Sequence, residues 1–207
     1  MTIAIIGTGR VGTALGTAFA SAGHRIAYGS RQPRRNDVRE LAEATGPHAF
    51  AATPAEAVAE AGAVVLATPW EATEEVVRQL DLAGKLVLDT TNPLAFPDLT
   101  PLVETSGGEL VQAWAPKAHV VKAFCMVGAD VMADPSFKGR VRPALLVAGD
   151  VPRAKRAAIE LANAIGFEGL DAGGIERSRH LEHVAALWIH LAGSGAGREI
   201  AFALLRR

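Results

Sequence analysis

A glycine-rich turn near the start of the chain constrains its fold more than any other feature. The turn Gly7–Gly12 has the spacing GxGxxG and follows Thr2–Ile6, a β-branched run typical of a buried parallel strand. Apolar residues recur at helical spacing directly after it. In such a unit Gly7 permits the tight turn, Gly9 lets the backbone approach a diphosphate, and Gly12 lets the helix pack on the strand. The pattern predicts a dinucleotide-binding unit; a tight turn without a ligand is the alternative.

Strand and helix patterns alternate along most of the chain. Strands are predicted at residues 2–6, 24–29, 48–51, 63–67, 85–89, 119–124, 144–148 and 167–171. Helices are predicted at residues 11–22, 37–44, 54–61, 71–80, 98–105, 151–165 and 175–205. Asn36 and Thr53 are the predicted caps of the second and third helices. A break is expected at 106–108, a loop at 130–142 and a weak point in the last helix at 193–197.

This alternation, with short connections, predicts the fold class. Repeated strand–helix units indicate an α/β protein with a Rossmann-type, doubly wound parallel sheet and a small C-terminal helical extension. We expect one dinucleotide-binding domain over residues 1–207, in which 150–207 form a strand–helix extension.

Composition and charge exclude several classes of protein. Lys and Arg number 21 and Asp and Glu 22, so the net charge of −1 argues against broad nucleic-acid binding. A single cysteine, Cys125, excludes an intrachain disulfide and a cysteine-rich zinc site. His180 and His183 are close in sequence but lack further ligands, so no metal site is predicted. No run of residues suits a signal peptide or a membrane span, which predicts a cytoplasmic protein.

The segment after the second strand predicts which dinucleotide binds. Enzymes that use NAD carry an acid there to bond the ribose 2′-hydroxyl, but this chain has no acid before Asp37. Ser30, Arg31 and Arg35 offer instead a hydroxyl and guanidinium groups, which suit a 2′-phosphate. NADP is therefore preferred over NAD; a solvated basic loop is the alternative.

Two further polar loops follow predicted strands. Thr68-Pro69 and Asn92-Pro93 come after the fourth and fifth strands. Ligands of open α/β sheets bind outside the carboxyl ends of the strands, so these loops are expected to flank the nicotinamide half of the cofactor. Ordinary turn chemistry is the alternative reading. No Ser/His/Asp order or acid–base pair stands out, and no catalytic residue is assigned.

A stretch of the last helix is apolar on nearly every side. Residues 184–192 include Leu187, Trp188 and Ile189, and a helix of that kind is buried. We expect it to form the interface of a homodimer; packing against an edge of its own sheet is the alternative.

Together these motifs resemble the family of coenzyme F420-dependent NADP oxidoreductases over essentially the whole chain. The resemblance lies in residues 7–12, 29–31, 68–70, 91–94, 120–124, 148–150, 170–173, 179–182 and 186–189. It implies a Rossmann-type domain, dimeric in most members, that passes hydride between NADPH and a deazaflavin stacked on the nicotinamide. The sequence departs from the archaeal members at Cys125–Gly128, where they carry His-Thr-Ile-Pro, which predicts a wider and more apolar acceptor pocket.

The resemblance also implies roles for individual residues. Thr8, Arg10 and Val11 would contact the diphosphate, and Ser30, Arg31 and Arg35 the 2′-phosphate. Pro69, Asn92 and Ala123 would border the nicotinamide. The predicted cofactor-binding set is Gly7, Thr8, Gly9, Arg10, Val11, Gly12, Ser30, Arg31, Arg35, Thr68, Pro69, Asn92 and Ala123.

The sequence thus predicts an NADP-dependent oxidoreductase whose hydride partner is F420 or a flavin. Two alternatives stay open: a reductase of a small carbonyl or imine substrate, and a non-catalytic NADP sensor. The chain leaves little room for the large helical substrate domain that imine reductases and related dehydrogenases usually append.

Overall fold

The computed structural model describes residues Met1 to Arg207, apart from the side chain of Arg140. Six parallel strands form one sheet, in the order β3-β2-β1-β4-β5-β6. These strands are β1 Thr2–Ile6, β2 Arg25–Gly29, β3 Ala49–Ala52, β4 Ala63–Leu66, β5 Leu86–Asp89 and β6 His119–Lys122. The helices between them are α1 Arg10–Ser21, α2 Asn36–Thr45, α3 Pro54–Ala59, α4 Trp70–Gln79 and α5 Gly107–Trp114. The predicted Rossmann-type parallel sheet is confirmed.

The central strands are apolar on both faces because helices cover both sides of the sheet. All residues of β4 and β5 are buried, including Asp89 at the end of β5. Strands β1 and β4 are neighbours, although the chain crosses from one half of the sheet to the other between them. Their carboxyl ends border the crevice in which doubly wound sheets bind ligands.

A smaller two-stranded sheet continues the edge of the large one. It consists of β7, Ala144–Val147, and β8, Glu168–Asp171, with α7, Pro152–Ala164, between them. Lys122, the last residue of β6, exchanges backbone hydrogen bonds of 2.8 and 3.1 Å with Ala148. Because this bridge is antiparallel, the chain reverses direction where the two sheets meet.

The remaining elements are short, except for the last helix. They are α6 Ala129–Ala133, single 3₁₀ turns at Lys138–Arg140 and Ile175–Arg177, α8 Ser178–Leu191, and a π-helical turn at Ala192–Ala196. None of the described helices is both long enough and apolar enough to cross a membrane.

Of the two helix caps predicted from the sequence, one is wrong and one is confirmed. Asn36 does not cap α2 but is its first residue; Arg35 holds the cap position and makes no capping bond. Thr53 does cap α3, where its hydroxyl accepts from the Glu56 N–H and the Glu56 carboxylate accepts from the Thr53 N–H. The pair of reciprocal hydrogen bonds between Thr53 and Glu56 is a capping box, a stronger sequence signal for a helix start than Asn36 alone.

The segment between β5 and β6 was predicted wrongly. No helix forms at 98–105, where Leu99 adopts a left-handed φ of 57° and Leu94 pairs with Pro101. The predicted break at 106–108 is instead the start of α5, which Ser106 caps by accepting from the N–H of Glu109. In the predicted loop at 130–142, α6 covers the first residues.

The last helix is shorter than predicted, and much of its apolar surface packs within the chain. It ends at Leu191, and the residues from 198 onward form no helix. The indole Nε1 of Trp188 donates to the carbonyl of Ile200 at 2.8 Å, so the final segment folds back across α8. Trp188 is 9% exposed, whereas Leu187 is 51% exposed.

Candidate functional site

The glycine-rich turn has the backbone geometry that its spacing predicted. Gly7 has a φ of 113°, and a Cβ there would lie 2.3 Å from the Ala67 carbonyl oxygen. A Cβ on Gly12 would lie 1.9 Å from the carbonyl oxygen of Gly7. A Cβ on Gly9 would meet nothing within 4 Å. Two glycines are therefore required by packing, and the third leaves the backbone open to a ligand.

The start of α1 supplies unpaired N–H groups beside this turn. The first hydrogen bond of the helix runs from the Thr13 N–H to the Gly9 carbonyl at 2.9 Å. The N–H groups that precede it on the helix have no helical acceptor, and no side chain caps them. With the positive end of the helix dipole, they form a site suited to an anion such as a diphosphate.

In the basic segment after β2, some side chains are free to bind a ligand and others already have a partner within the chain. Arg31 is exposed and makes no ion pair with the described residues. Arg35 is held by Asp37, with nitrogen–oxygen distances of 3.0 and 2.5 Å, and this hydrogen bond raises the pKa of Arg35. The hydroxyl of Ser30 accepts from the Gln32 N–H at 3.2 Å. Arg31 therefore has its full donor set free for a phosphate, as does the exposed Arg34.

Two adjoining cavities lie at the carboxyl ends of the central strands. The smaller, of about 270 Å³, is lined by Val11, Ala67, Thr68, Pro69, Trp70, Glu71, Thr90, Thr91, Asn92, Leu94 and Phe96. The larger, of about 420 Å³, is lined by Arg10, Val11, Thr90, Asn92, Phe96, Phe124, Cys125, Val127, Gly128, Ala129, Asp130, Met132, Trp188, Ile189, Ala192, Gly193 and Arg198. Because four residues line both, the two cavities form one groove, named here the central groove. The shared residues are Val11, Thr90, Asn92 and Phe96.

An ion pair closes one side of the larger cavity. The guanidinium of Arg10 donates to both carboxylate oxygens of Asp130, at 2.9 and 3.1 Å. Both side chains are substantially exposed, so the pair adds little to stability. It does fix the side chain of Arg10 beside the glycine-rich turn.

Asn92 stands at the junction of the two cavities with half of its amide unused. Its Nδ2 donates to the carbonyl oxygen of Cys125 at 2.9 Å. Its Oδ1 is buried and has no hydrogen-bond partner among the described residues. A buried acceptor without a partner is costly, and the carboxamide N–H of a nicotinamide is the kind of donor that would satisfy it.

A buried charge cluster lies beneath the junction of the cavities. Lys122 Nζ lies 2.8 Å from Asp89 Oδ2 and 2.7 Å from Glu182 Oε1, and it donates to the Thr91 carbonyl at 2.7 Å. Lys122 and Asp89 are fully buried. Burial alone lowers the pKa of Lys122, but the two carboxylates outweigh it and raise the pKa above its ordinary value. The amine is therefore a fixed cation that holds the backbone one residue before Asn92.

The second carboxylate of this cluster joins the last helix to the sheet. Glu182, on α8, accepts from the backbone N–H groups of Gly107 and Gly108 at 3.1 and 3.2 Å. These are the first residues of α5, so the positive end of that helix helps to balance the second negative charge. This cluster was not predicted from the sequence, although Lys122 within an apolar strand is a signal that could have indicated it.

The thiol at the departure from the archaeal pattern is inert. Cys125 is 6% exposed, and burial raises the pKa of its thiol to about 12, although Lys122 nearby opposes the shift. A neutral thiol is a weak nucleophile, so Cys125 contributes a small apolar wall to the larger cavity rather than chemistry.

The structure brings most of the predicted site residues together. Arg10, Val11, Thr68, Pro69 and Asn92 line the central groove. Gly7, Thr8, Gly9 and Gly12 shape the turn at its edge, and Ser30, Arg31 and Arg35 follow the carboxyl end of β2. Ala123 is fully buried and is not among the lining residues; its neighbours Phe124 and Cys125 line the larger cavity instead. Wall residues that sequence reasoning missed include Phe96, Phe124, Met132, Trp188 and Arg198.

Among the described side chains, no three histidine, cysteine or carboxylate groups converge as ligands. His180 and His183 are exposed on α8.

Comparison with known proteins identifies the family. Residues 2–93 match the family described as NADP oxidoreductase, coenzyme F420-dependent. The chain is 32% identical to the F420-dependent NADP reductase of Methanocaldococcus jannaschii, over 92% of each protein. The chain belongs to this family of NADP oxidoreductases. The resemblance to this family, predicted from the sequence motifs, is thereby confirmed.

Solved structures agree with this assignment. A crystal structure from Arthrobacter sp. FB24, of a candidate F420-dependent NADP reductase, superposes with a TM-score of 0.88 at 31% identity and covers 100% of each chain. A reductive aminase from Aspergillus terreus, in complex with a nicotinamide cofactor, cyclohexanone and allyl amine, superposes with a TM-score of 0.67 at 22% identity. The chain covers 62% of that aminase, and the likeness is one of fold alone.

Proposed function

We propose that this chain transfers hydride between NADP(H) and coenzyme F420. The observation that carries the proposal is the central groove, whose two cavities meet at Asn92 and open beside the phosphate-binding turn. Membership of the family of F420-dependent NADP oxidoreductases indicates the reaction. The groove has room for two ring systems in contact. Direct transfer requires the two reacting atoms to be about 3–3.5 Å apart, so positioning is the main task of the protein.

The residues present fit an NADP molecule along this surface. We propose that the α1 N-terminus, with Thr8, Gly9, Arg10 and Val11, holds the diphosphate. Ser30 and Arg31 hold the 2′-phosphate, joined by Arg35 when it leaves Asp37. Thr68, Pro69 and Asn92 border the nicotinamide, with the backbone around Ala123 beneath it. When bound, the nicotinamide supplies the hydride.

The side chains of the groove orient the reactants and exclude water. Asn92 offers its free Oδ1 to the cofactor amide, and its Nδ2 is fixed by the Cys125 carbonyl. Phe124 and Trp188 give the larger cavity an apolar wall. No side chain needs to donate or remove a proton at the reacting carbon, because the hydride itself brings both the hydrogen and its electrons there.

Purified protein with NADPH and a panel of acceptors tests this proposal. We expect oxidation of NADPH with F420 and much slower oxidation with FMN, FAD, or cyclohexanone with allyl amine. Turnover with the carbonyl and amine alone would favour an imine reductase. Tight NADPH binding with no turnover of any acceptor would favour a sensor.

We propose further that residues 1–207 act as one domain, with 150–207 as its extension, and that the protein is a cytoplasmic homodimer. Because Trp188 is buried within the chain, the exposed Leu187 and Leu191 are the residues of this helix that we propose to meet the partner. The double change L187E and L191E is expected to convert a dimer to a monomer in sedimentation. The change L102E, at another exposed leucine, is the matched control. A monomeric unmodified protein at micromolar concentration would contradict the dimer.

A further inference from the structure

Phe96 is the most unusual exposed side chain near the groove. It is 72% exposed, although large aromatic residues are normally buried in a folded protein. It also lines both cavities of the central groove, which places it where the cofactor end and the acceptor end meet. Its ring therefore has an open surface toward the place where two flat molecules must come into contact.

The loop that carries Phe96 is held firmly by its own backbone. The Leu102 N–H donates to the Pro93 carbonyl at 2.8 Å and closes the loop at its base. The Ala95 N–H donates to the Thr100 carbonyl at 2.8 Å, one residue from Phe96. An exposed aromatic ring on a loop with this many internal bonds is presented in a defined position, which favours binding because less freedom is lost.

The lower walls of the groove are already packed. Phe124 is fully buried, and its ring lies edge-on to those of Phe19 and Phe167, at 6.1 and 5.9 Å between centroids. Trp188 is held by the hydrogen bond that its Nε1 donates to the Ile200 carbonyl. Of the aromatic rings that line the larger cavity, Phe96 is the one with a largely free surface.

We infer that Phe96 is a specificity-determining residue, whose ring packs on the flat ring of the hydride acceptor at the outer side of the groove. The inference rests on the proposed function, because it assumes a planar acceptor. Aromatic rings prefer offset stacking on one another, so a tricyclic deazaflavin gains more contact from Phe96 than a small carbonyl compound does. Phe96 thus selects the acceptor and leaves the NADP phosphates to α1 and Arg31.

Three variants test this role. F96A removes the ring, F96W keeps an aromatic face, and L102A removes an exposed leucine from the same loop that does not line the groove. Because Phe96 is largely exposed, F96A should fold normally. The readouts are the KM for F420, the Kd for NADPH from fluorescence, and the mass in solution.

We expect F96A to raise the KM for F420 by about tenfold, the scale of a lost aromatic contact. The Kd for NADPH should stay within about twofold, F96W should restore the low KM, and L102A should match the unmodified protein. An unchanged KM in F96A overturns the inference while leaving the proposed function intact. A lower mass in F96A with an unchanged KM assigns Phe96 to a subunit contact, which also overturns it. If the unmodified protein does not reduce F420, both ideas fall.

Discussion

The two ends of the central groove are built in opposite ways. At the proposed phosphate end, the candidate binding groups are backbone N–H groups and exposed arginines that lie close together in the sequence, at Gly7–Gly12 and after β2. At the reacting end, the walls come from α1, α6, α8 and two strand ends, and a buried charge cluster holds them. The first end depends on local geometry, and the second on contacts between residues far apart in the chain.

Because of this difference, affinity for the dinucleotide and positioning of the reacting rings should depend on different residues. The exposed arginines can be replaced without loss of the fold, so changes there should alter which dinucleotide binds. The buried cluster of Lys122, Asp89 and Glu182 connects the sheet to α8, so changes there should alter the fold and the reacting end together.

The largest effect is expected from K122M. Removal of the buried cation leaves two buried carboxylates without their partner, which should lower the free energy of unfolding by about 3–5 kcal/mol. Urea denaturation measures it. K117M, at an exposed lysine just before the same strand, is the control and should change stability by less than about 0.5 kcal/mol. Equal urea midpoints for K122M and K117M would show that the buried cluster does not stabilise the fold.

One part of the pH dependence of stability in the unmodified protein follows from the raised pKa of Lys122. A raised pKa gives stability that is complete below the unfolded value of 10.5 and is lost only as the pH rises through the higher folded value. The ionisation of Lys122 should therefore leave the stability of the unmodified protein unchanged across neutral pH and lower it only in strongly alkaline solution. A loss of stability near neutral pH that the unmodified protein and K117M share and K122M lacks would contradict a protonated Lys122.

The second effect concerns the phosphate end alone. R31D should weaken NADPH binding by about 2–3 kcal/mol, since a charge-assisted bond is lost and a repulsion is gained. The free energy of unfolding should not change, because Arg31 is exposed. R35D should cost less NADPH affinity than R31D, because Asp37 already occupies that guanidinium. Titration with NADPH and NADH measures both; equal affinities for the two cofactors in the unmodified protein would refute NADP preference.

How far the sequence predicts each end of the central groove depends on whether that end is built from local or distant residues. The turn Gly7–Gly12 was recognisable because its function follows from backbone freedom at fixed spacing. Gly107 and Gly108 were misread as a break, because the carboxylate that satisfies their N–H groups is Glu182, more than 70 residues away in sequence. The apolar stretch 184–192 was read as an interface because no local pattern shows that the chain returns to cover Trp188.

The smallest effect compares an exposed ion pair with the buried one. Arg179 on α8 donates to both carboxylate oxygens of Glu109 on α5 at 2.7 Å, and this bond, with help from Ser106, lowers the pKa of Glu109. The lowered pKa gives stability that is present above the unfolded value of 4.5 and lost as the pH falls through the folded value.

R179Q should therefore shift the urea midpoint slightly at pH 7, far less than K122M does, and the shift should fade in acid. R39Q, at an exposed arginine on α2, is the matched control. A shift that grows as the pH falls below 4.5 would contradict the assignment to Glu109.

The central claim is that the groove brings the two rings into direct contact. Its most direct test uses NADPH labelled with deuterium at nicotinamide C4, in two samples labelled on opposite faces, with F420 as acceptor in ordinary water. Because a deazaflavin receives the hydride on carbon, the label stays on the reduced product, whereas a flavin would receive it on a nitrogen that exchanges with water. We expect deuterium in the reduced F420 from one labelled face only. Reduced F420 without deuterium from either face, or no reduction at all, would contradict the account.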